Sequence, residues 1–208
     1  MLAGEPSYPA LLARSGHPPP VLFYVGRIER VGRAWAICGG PEAGSAQALA
    51  AEAAGIAVAA GYCVVSGNAH GVEATVLDVA VERGGFSVAV LPEGIRHLRE
   101  SPRSSANRLV ISQFAPHQPW SVGAAMARNA TIAGMSDALI AVGAGGVGGT
   151  LDAGLRALEL RRPVVAVGDT PGSHLLVDYG AWLARDRFEL AWWLGRLLDL
   201  PRSESAFA

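Results

Sequence analysis

The chain has 208 residues, 17 basic against 18 acidic side chains, and half of its residues are hydrophobic. That composition fills one packed domain. A net charge of −1 excludes a whole-surface attraction to nucleic acid, so any DNA binding needs a local arginine cluster. Every basic residue is arginine; lysine is absent. No apolar run reaches the ~18 residues of a membrane span without a glycine or a charge. Residues 1–20 lack the basic-then-apolar order of a secretory signal, and a cytoplasmic location without membrane partners is expected.

In chain order, residues 1–33 carry Pro18-Pro19-Pro20 and a short apolar run, and read as an extended lead-in packed on the core. Residues 34–200 read as the main domain and 201–208 as a polar, frayed tail. Strands are predicted at Ala34–Gly39, Tyr62–Ser66, Phe86–Leu91, Leu109–Ser112, Ala138–Gly143 and Val164–Gly168. Helices are predicted at Ser45–Ala60, Val72–Arg83, Val122–Met135 and Leu151–Leu160. After Gly172 the pattern reads as helical to about Leu200, with Trp182, Trp192 and Trp193 inside it. Strands and helices that alternate at these lengths predict an α/β fold, Rossmann-like and doubly wound. The near-continuous apolar strands, Cys63-Val64-Val65 and Ala138 to Val142, fit a mostly parallel sheet with helices on both faces. Cys38 and Cys63 fall in buried strands and read as free thiols rather than as a disulfide or metal pair.

Four strands end in glycine-bearing turns: Gly39–Pro41, Ser66–Gly71, Leu91–Gly94 and Gly143–Thr150. In a parallel sheet the carboxyl ends of the strands share one edge, so the four turns are expected to line one pocket. Turns without Cβ atoms, at helix starts, let backbone N–H groups approach a phosphate. The expected ligand is therefore phosphorylated, either single-stranded DNA or a nucleotide. The candidate contacts are Gly39, Gly40, Ser66, Gly67, Asn68, His70, Gly71, Arg128, Asn129, Gly145, Gly146, Gly148, Gly149 and Thr150. His70 either touches a ligand phosphate or is a surface loop residue. Glu73 and Asp152 each open a helix, where a carboxylate is favoured by the helix dipole; if the chain is an enzyme they are its acid and base. Arg128 and Asn129 read as the start of a helical run that leads into a strand, and the planar guanidinium suits phosphate. No Walker A, zinc spacing, nucleophile elbow or dehydrogenase fingerprint is present, and no cofactor or metal is expected.

With these residues in view, the chain resembles the DprA/Smf family of DNA-processing proteins. The resemblance rests on Tyr8-Pro9 with Pro19 to Gly26, on Val64 to Glu73 followed by Gly84 to Gly94, on Arg128-Asn129 with Ile132 to Asp137, and on Arg162 to Gly168 with Pro171-Gly172-Ser173. It spans roughly residues 7–194. It implies an extended Rossmann-like domain that binds single-stranded DNA in a basic pocket, forms a homodimer and helps load RecA in recombination and natural transformation, without catalysis. The chain departs from the family pattern at Gly39-Gly40-Pro41, where the family has Gly-Ser-Arg, and at His70, Glu73, Leu77 and Ala130. With those basic positions replaced, Arg128 is the expected main anion contact, helped by Arg103 or Arg108. Arg128-Asn129, Ser136 to Val142 and Gly145 to Asp152 are also similar to LOG-type nucleotide phosphoribohydrolases, which carry Pro-Gly-Gly-x-Gly-Thr-x-x-Glu where this chain has Ala144, an extra glycine and Asp152. That similarity implies an alternative: hydrolysis of the N-glycosidic bond of a nucleoside monophosphate, or sensing of a nucleotide in the same cleft.

Overall fold

The protein is described by a computed structural model over residues 1–41, 45–97 and 106–200. Its sheet has eight strands: β1 (Phe23–Val25), β2 (Ala34–Gly39), β3 (Cys63–Ser66), β4 (Ser87–Val90), β5 (Arg108–Ser112), β6 (Ala138–Val142), β7 (Val164–Val167) and β8 (Trp182–Ala184). Their spatial order is β1-β5-β4-β3-β2-β6-β7-β8. All pairings are parallel except that of β1 with β5. This is the α/β, Rossmann-like doubly wound sheet expected from the sequence.

Among the described residues seven α-helices cover the two faces: α1 (Ala10–Ala13), α2 (Ser45–Ala59), α3 (Val72–Glu82), α4 (Val122–Gly134), α5 (Gly149–Glu159), α6 (Pro171–Asp178) and α7 (Arg187–Asp199). The two-residue period of the strands sorts side chains between the faces. Ala34, Ala36 and Cys38 of β2 enter the core shared with α1, α4, α5 and α6. Trp35 and Ile37 of the same strand enter the core shared with α2, α3 and α7. Every residue of β2, β3, β4 and β6 is buried, which is why these strands carry almost no polar side chains. Among the described residues no helix is long and apolar enough to cross a membrane.

Three sequence expectations change. The segment 1–33 is more than an extended lead-in: it supplies α1, the edge strand β1, and Tyr8, Leu12, Leu22 and Ile28 to the core. The stretch after Gly172 is not one helix. α6 ends at Asp178, Gly180 takes φ +103°, and Trp182–Ala184 adds a parallel edge strand before Asp186 caps α7 by accepting from the N–H groups of Phe188 and Glu189. The helix expected from Leu151 begins at Gly149, so Gly149 and Thr150 lie in its first turn. The expected tail at 201–208 lies outside the described residues, as do Glu42 to Gly44.

Candidate functional site

From β2 the chain winds outward through β3, β4 and β5; from β6 it winds the other way through β7 and β8. β2 and β6 are neighbours, so the crossovers part between them and leave a crevice at the carboxyl ends of the strands, where doubly wound folds bind ligands. A cleft of about 360 Å³ occupies this place. Its lining includes Gly40 after β2, Gly143, Ala144, Gly145, Val147, Gly149 and Thr150 after β6, and Thr170 and Pro171 after β7. No lining side chain is charged. First-turn residues of four helices reach it: Ala46 of α2, Val72 of α3, Thr150 of α5 and Pro171 of α6. Helix starts present partial positive charge and free N–H groups. The N–H groups of Gly145, Gly146, Gly149 and Thr150 donate to no acceptor among the described residues. The cleft can therefore hold a compact anion with backbone donors alone.

The loop after β3 is built differently. Ser66 is buried and its Oγ donates to the Ile37 carbonyl at 2.6 Å, tying β3 to β2. Asn68, at φ +62°, and His70 are exposed. Beneath them Glu73 accepts from the Ala69 N–H at 3.0 Å and from Arg128 Nη2 at 3.1 Å. The two charged side chains are each only 8% exposed. The guanidinium lies flat under Gly67, where a Cβ would overlap Nη1, so glycine is required by close approach. Arg128 Nε is buried without a hydrogen-bond partner among the described residues. Burial, reinforced by the Glu73 carboxylate, pushes the neighbouring Cys38 thiol far above its ordinary range. Cys38 and Cys63 are both buried free thiols.

The loop after β6 is gripped from either side by two neutral side chains, Asn129 and Thr170, with the Asp152–Arg156 ion pair behind Asn129. Asn129 Nδ2 donates to the Gly149 carbonyl at 3.1 Å and to Asp152 Oδ2 at 2.9 Å, and Arg156 Nε donates to the same oxygen at 2.8 Å. On the other side Thr170 Oγ1 donates to the Ala144 carbonyl at 2.6 Å and accepts from the Ser173 N–H. The Gly172 N–H donates to Ala144 as well, at 3.0 Å.

The expected site residues thus separate into groups. Gly40, Gly145, Gly149 and Thr150 line the cleft, with Gly146 and Gly148 in the same exposed loop. Gly39, Gly67 and Gly71 pack the loops together: a Cβ at position 39 would meet Val72, and one at 71 would meet Pro41. Ser66, Glu73, Asn129 and Asp152 position those loops through the bonds above. Arg128 stands in the middle of α4 rather than at a helix start, and its guanidinium faces Glu73 rather than the cleft. Arg108 begins β5, at the amino end of the sheet opposite the cleft, and pairs with Asp78 at 2.7 Å. Arg103 lies outside the described residues. Neither the Ser66–Gly71 turn, with Asn68 and His70, nor the Leu91–Gly94 turn contributes to the cleft lining, so the four expected turns share the carboxyl edge without lining one pocket; Ala115 and Pro116 cover Gly94. Ala46, Val72, Thr170 and Pro171 line the cleft from outside the four expected turns, and of these the last two carried a signal in the sequence. Their signal was a Thr-Pro pair at a helix start, an N-cap followed by proline at the first helical position.

Comparison with known proteins adds to this geometry. The family model of DNA recombination-mediator protein A matches residues 1–189. Protein Smf of Synechocystis sp. is 29% identical over 189 residues, covering 80% of this chain and 45% of that protein. The chain spans about half the length of the curated relatives it matches. Among solved structures, DNA processing protein A of Streptococcus pneumoniae superposes with a TM-score of 0.79 at 24% identity, covering 92% of this chain and 72% of that one. The corresponding protein of Helicobacter pylori, whose structure concerns its single-stranded DNA binding mode, gives 0.77 at 20% identity, covering 91% and 92%.

Proposed function

Since this chain belongs to the DNA recombination-mediator protein A, or DprA/Smf, family, we propose that it binds single-stranded DNA at the carboxyl edge of its sheet as a step in DNA recombination. The observation that carries this reading is the glycine-lined cleft between β2 and β6, where unengaged backbone N–H groups face a space with no charged lining. Phosphate oxygens fit such donors, and because phosphates carry no base information the binding is sequence-tolerant. In this reading Arg128 is a positioning residue: with Glu73 it holds the loop after β3 at the cleft wall. The family's partner RecA, a homodimeric state and a part in natural transformation belong to the same proposal.

A second reading has one observation in its favour. A cleft of about 360 Å³ is small and neutral, dimensions suited to the phosphate end of a single nucleotide. Glu73 and Asp152, the acid and base of a phosphoribohydrolase, are both engaged by neighbouring N–H donors, which supports a sensor over a hydrolase.

Two measurements on one sample separate the readings. Oligo-dT binding is titrated from low to moderate salt beside a thermal-shift screen with nucleoside monophosphates. The DNA reading expects binding with a shallow log–log salt slope, no steeper than about −1, since each phosphate neutralised by a basic side chain on a single strand adds about −0.7 and the cleft lining supplies none. Absence of oligo-dT binding at any salt, with a nucleotide raising the melting temperature, transfers the assignment to the nucleotide reading.

A further inference from the structure

Exposed aromatic side chains gather on the outer face of α7. Phe188 is 78% and Trp192 58% exposed, one turn apart on the same side of the helix, while Leu190, Leu194 and Leu197 hold the other side in the core. Single exposed apolar residues are ordinary in a folded protein. Trp192 belongs to a built arrangement. Trp192 packs edge-on against Trp193, with centroids 4.4 Å apart, and Trp193 stacks on Trp182 at 4.7 Å. Trp193 Nε1 donates to the Leu183 carbonyl at 2.8 Å, which fixes the stack on β8. Guanidinium groups accompany each exposed ring: Arg187 lies 5.8 Å from the Phe188 centroid and Arg196 lies 5.9 Å from that of Trp192.

The nearby carboxylates are already in use. Asp186 caps the helix, Glu189 accepts from the N–H and the guanidinium of Arg185, and Glu52 is 3.6 Å from Arg187. Arg196 has no ion-pair partner among the described residues. The charges around Phe188 balance, Arg185 and Arg187 against Asp186 and Glu189, so the cation left over on this face is Arg196 beside Trp192, which suits an anionic strand with flat bases better than an apolar protein surface.

The place of this face matters as much as its composition. The Gly143 N–H donates to Val167, and the Gly168 N–H to Ala184, so the ends of β6, β7 and β8 step along one edge. α7 begins three residues after Ala184. Phe188 therefore stands on the same edge as the cleft, two strand spacings or about 10 Å along the sheet from β6. Trp192 lies about 6 Å further down the helix axis.

We propose that the Phe188–Trp192 face of α7, flanked by Arg187 and Arg196, is a base-stacking platform for a single strand whose backbone is held at the cleft. Aromatic faces beside cations bind unpaired bases without sequence preference. The proposal rests on the reading of the cleft as a single-stranded DNA site.

The test compares wild type, Phe188→Ala, Phe188→Trp and the double variant Phe188→Ala/Trp192→Ala in binding oligo-dT and an abasic oligonucleotide of equal length at low salt. Phe188 makes no core contact, so its variants should keep the wild-type melting temperature. Phe188→Ala should bind oligo-dT about tenfold more weakly, from the loss of one stacked base. The double variant should lose more, and Phe188→Trp should bind as wild type does. All four proteins should bind the abasic strand equally. The proposal is overturned if the double variant binds oligo-dT as wild type does, or if Phe188→Ala changes the solution mass, which would make this face a contact between copies. Wild type that fails to bind oligo-dT overturns the cleft reading itself, and the platform with it; wild-type binding that is indifferent to the aromatic variants overturns the platform alone.

Discussion

The loop after β3 is fixed by a buried charged pair and the loop after β6 by neutral side chains and backbone, although both leave parallel strands at the same edge. In the first, Glu73 and Arg128 neutralise each other beneath Gly67 and leave no charge for a ligand. In the second, Asn129 and Thr170 grip carbonyl oxygens from either side, and the N–H groups of the cleft-lining Gly145, Gly149 and Thr150 are left without an acceptor among the described residues. In the proposed reading one loop is a wall beside the cleft and the other a receptor. An arginine in a sequence motif is thus not the same thing as an available cation, because an acidic residue one helix away can consume it.

The wall is the costlier to disturb. Glu73→Ala leaves Arg128 buried and unpaired, and should lower stability by about 3–5 kcal/mol. Urea unfolding of this variant beside Glu73→Gln/Arg128→Met, which removes both charges, should show most of the loss recovered in the double variant. A loss below about 1 kcal/mol in the single variant would mean that the pair does not hold the loop. Next in size is Gly172→Ala. Its Cβ would overlap the carbonyl oxygens of Gly145 and Ala144, so α6 must shift away from the glycine loop. The expected destabilisation is about 1–3 kcal/mol, the range for inserting a group into packed structure, with weaker oligo-dT binding. Binding that stays at wild-type strength in the folded variant would separate α6 from the site.

Asn129→Ala removes two hydrogen bonds that span α4 and α5 and should cost about 1–2 kcal/mol. Because Asn129 acts on the receptor loop, its loss should also speed amide exchange at Gly149 and Thr150, while exchange around Ala69 stays unchanged. The smallest effect is alkaline. Burial, with the Glu73 carboxylate adding to it, raises the Cys38 thiol, and burial raises Cys63 as well. A raised folded pKa means the thiols stay neutral in the fold while the unfolded chain ionises above about pH 8.5. Stability is therefore full below that pH and declines above it. Replacing Cys38 with Ala should flatten the fall in urea midpoint between pH 8 and pH 10; an unchanged fall would assign it elsewhere.

Much of the architecture was legible in the chain, because buried parallel strands must be apolar throughout and their glycine turns mark the carboxyl edge. Gly143 to Thr150 could be placed at the carboxyl-edge cleft from sequence alone, since so many glycines exceed what a turn needs. Two things were hidden. β8 is a three-residue edge strand whose Trp182 and Leu183 are only half-buried, so it carries no strand pattern of its own, and the aromatic content of its surroundings reads as helix. The role of Arg128 was hidden because its partner Glu73 is 55 residues away, and only the packing of α4 under β3 brings them together. Arg108 is a different case: it precedes the strand expected at Leu109–Ser112, so the carboxyl-edge rule already puts it at the end of the sheet away from the cleft.

The central claim is that backbone donors of the loop after β6, not arginine side chains, hold the phosphates. Its most direct test is an amide chemical-shift titration of the folded protein with oligo-dT at low salt. The account predicts the largest shifts at Gly145, Gly146, Gly149 and Thr150, with a smaller response at Gly40 and at Phe188. Shifts centred on Arg108 and the amino ends of the strands, with the glycine-loop amides unmoved, would contradict it.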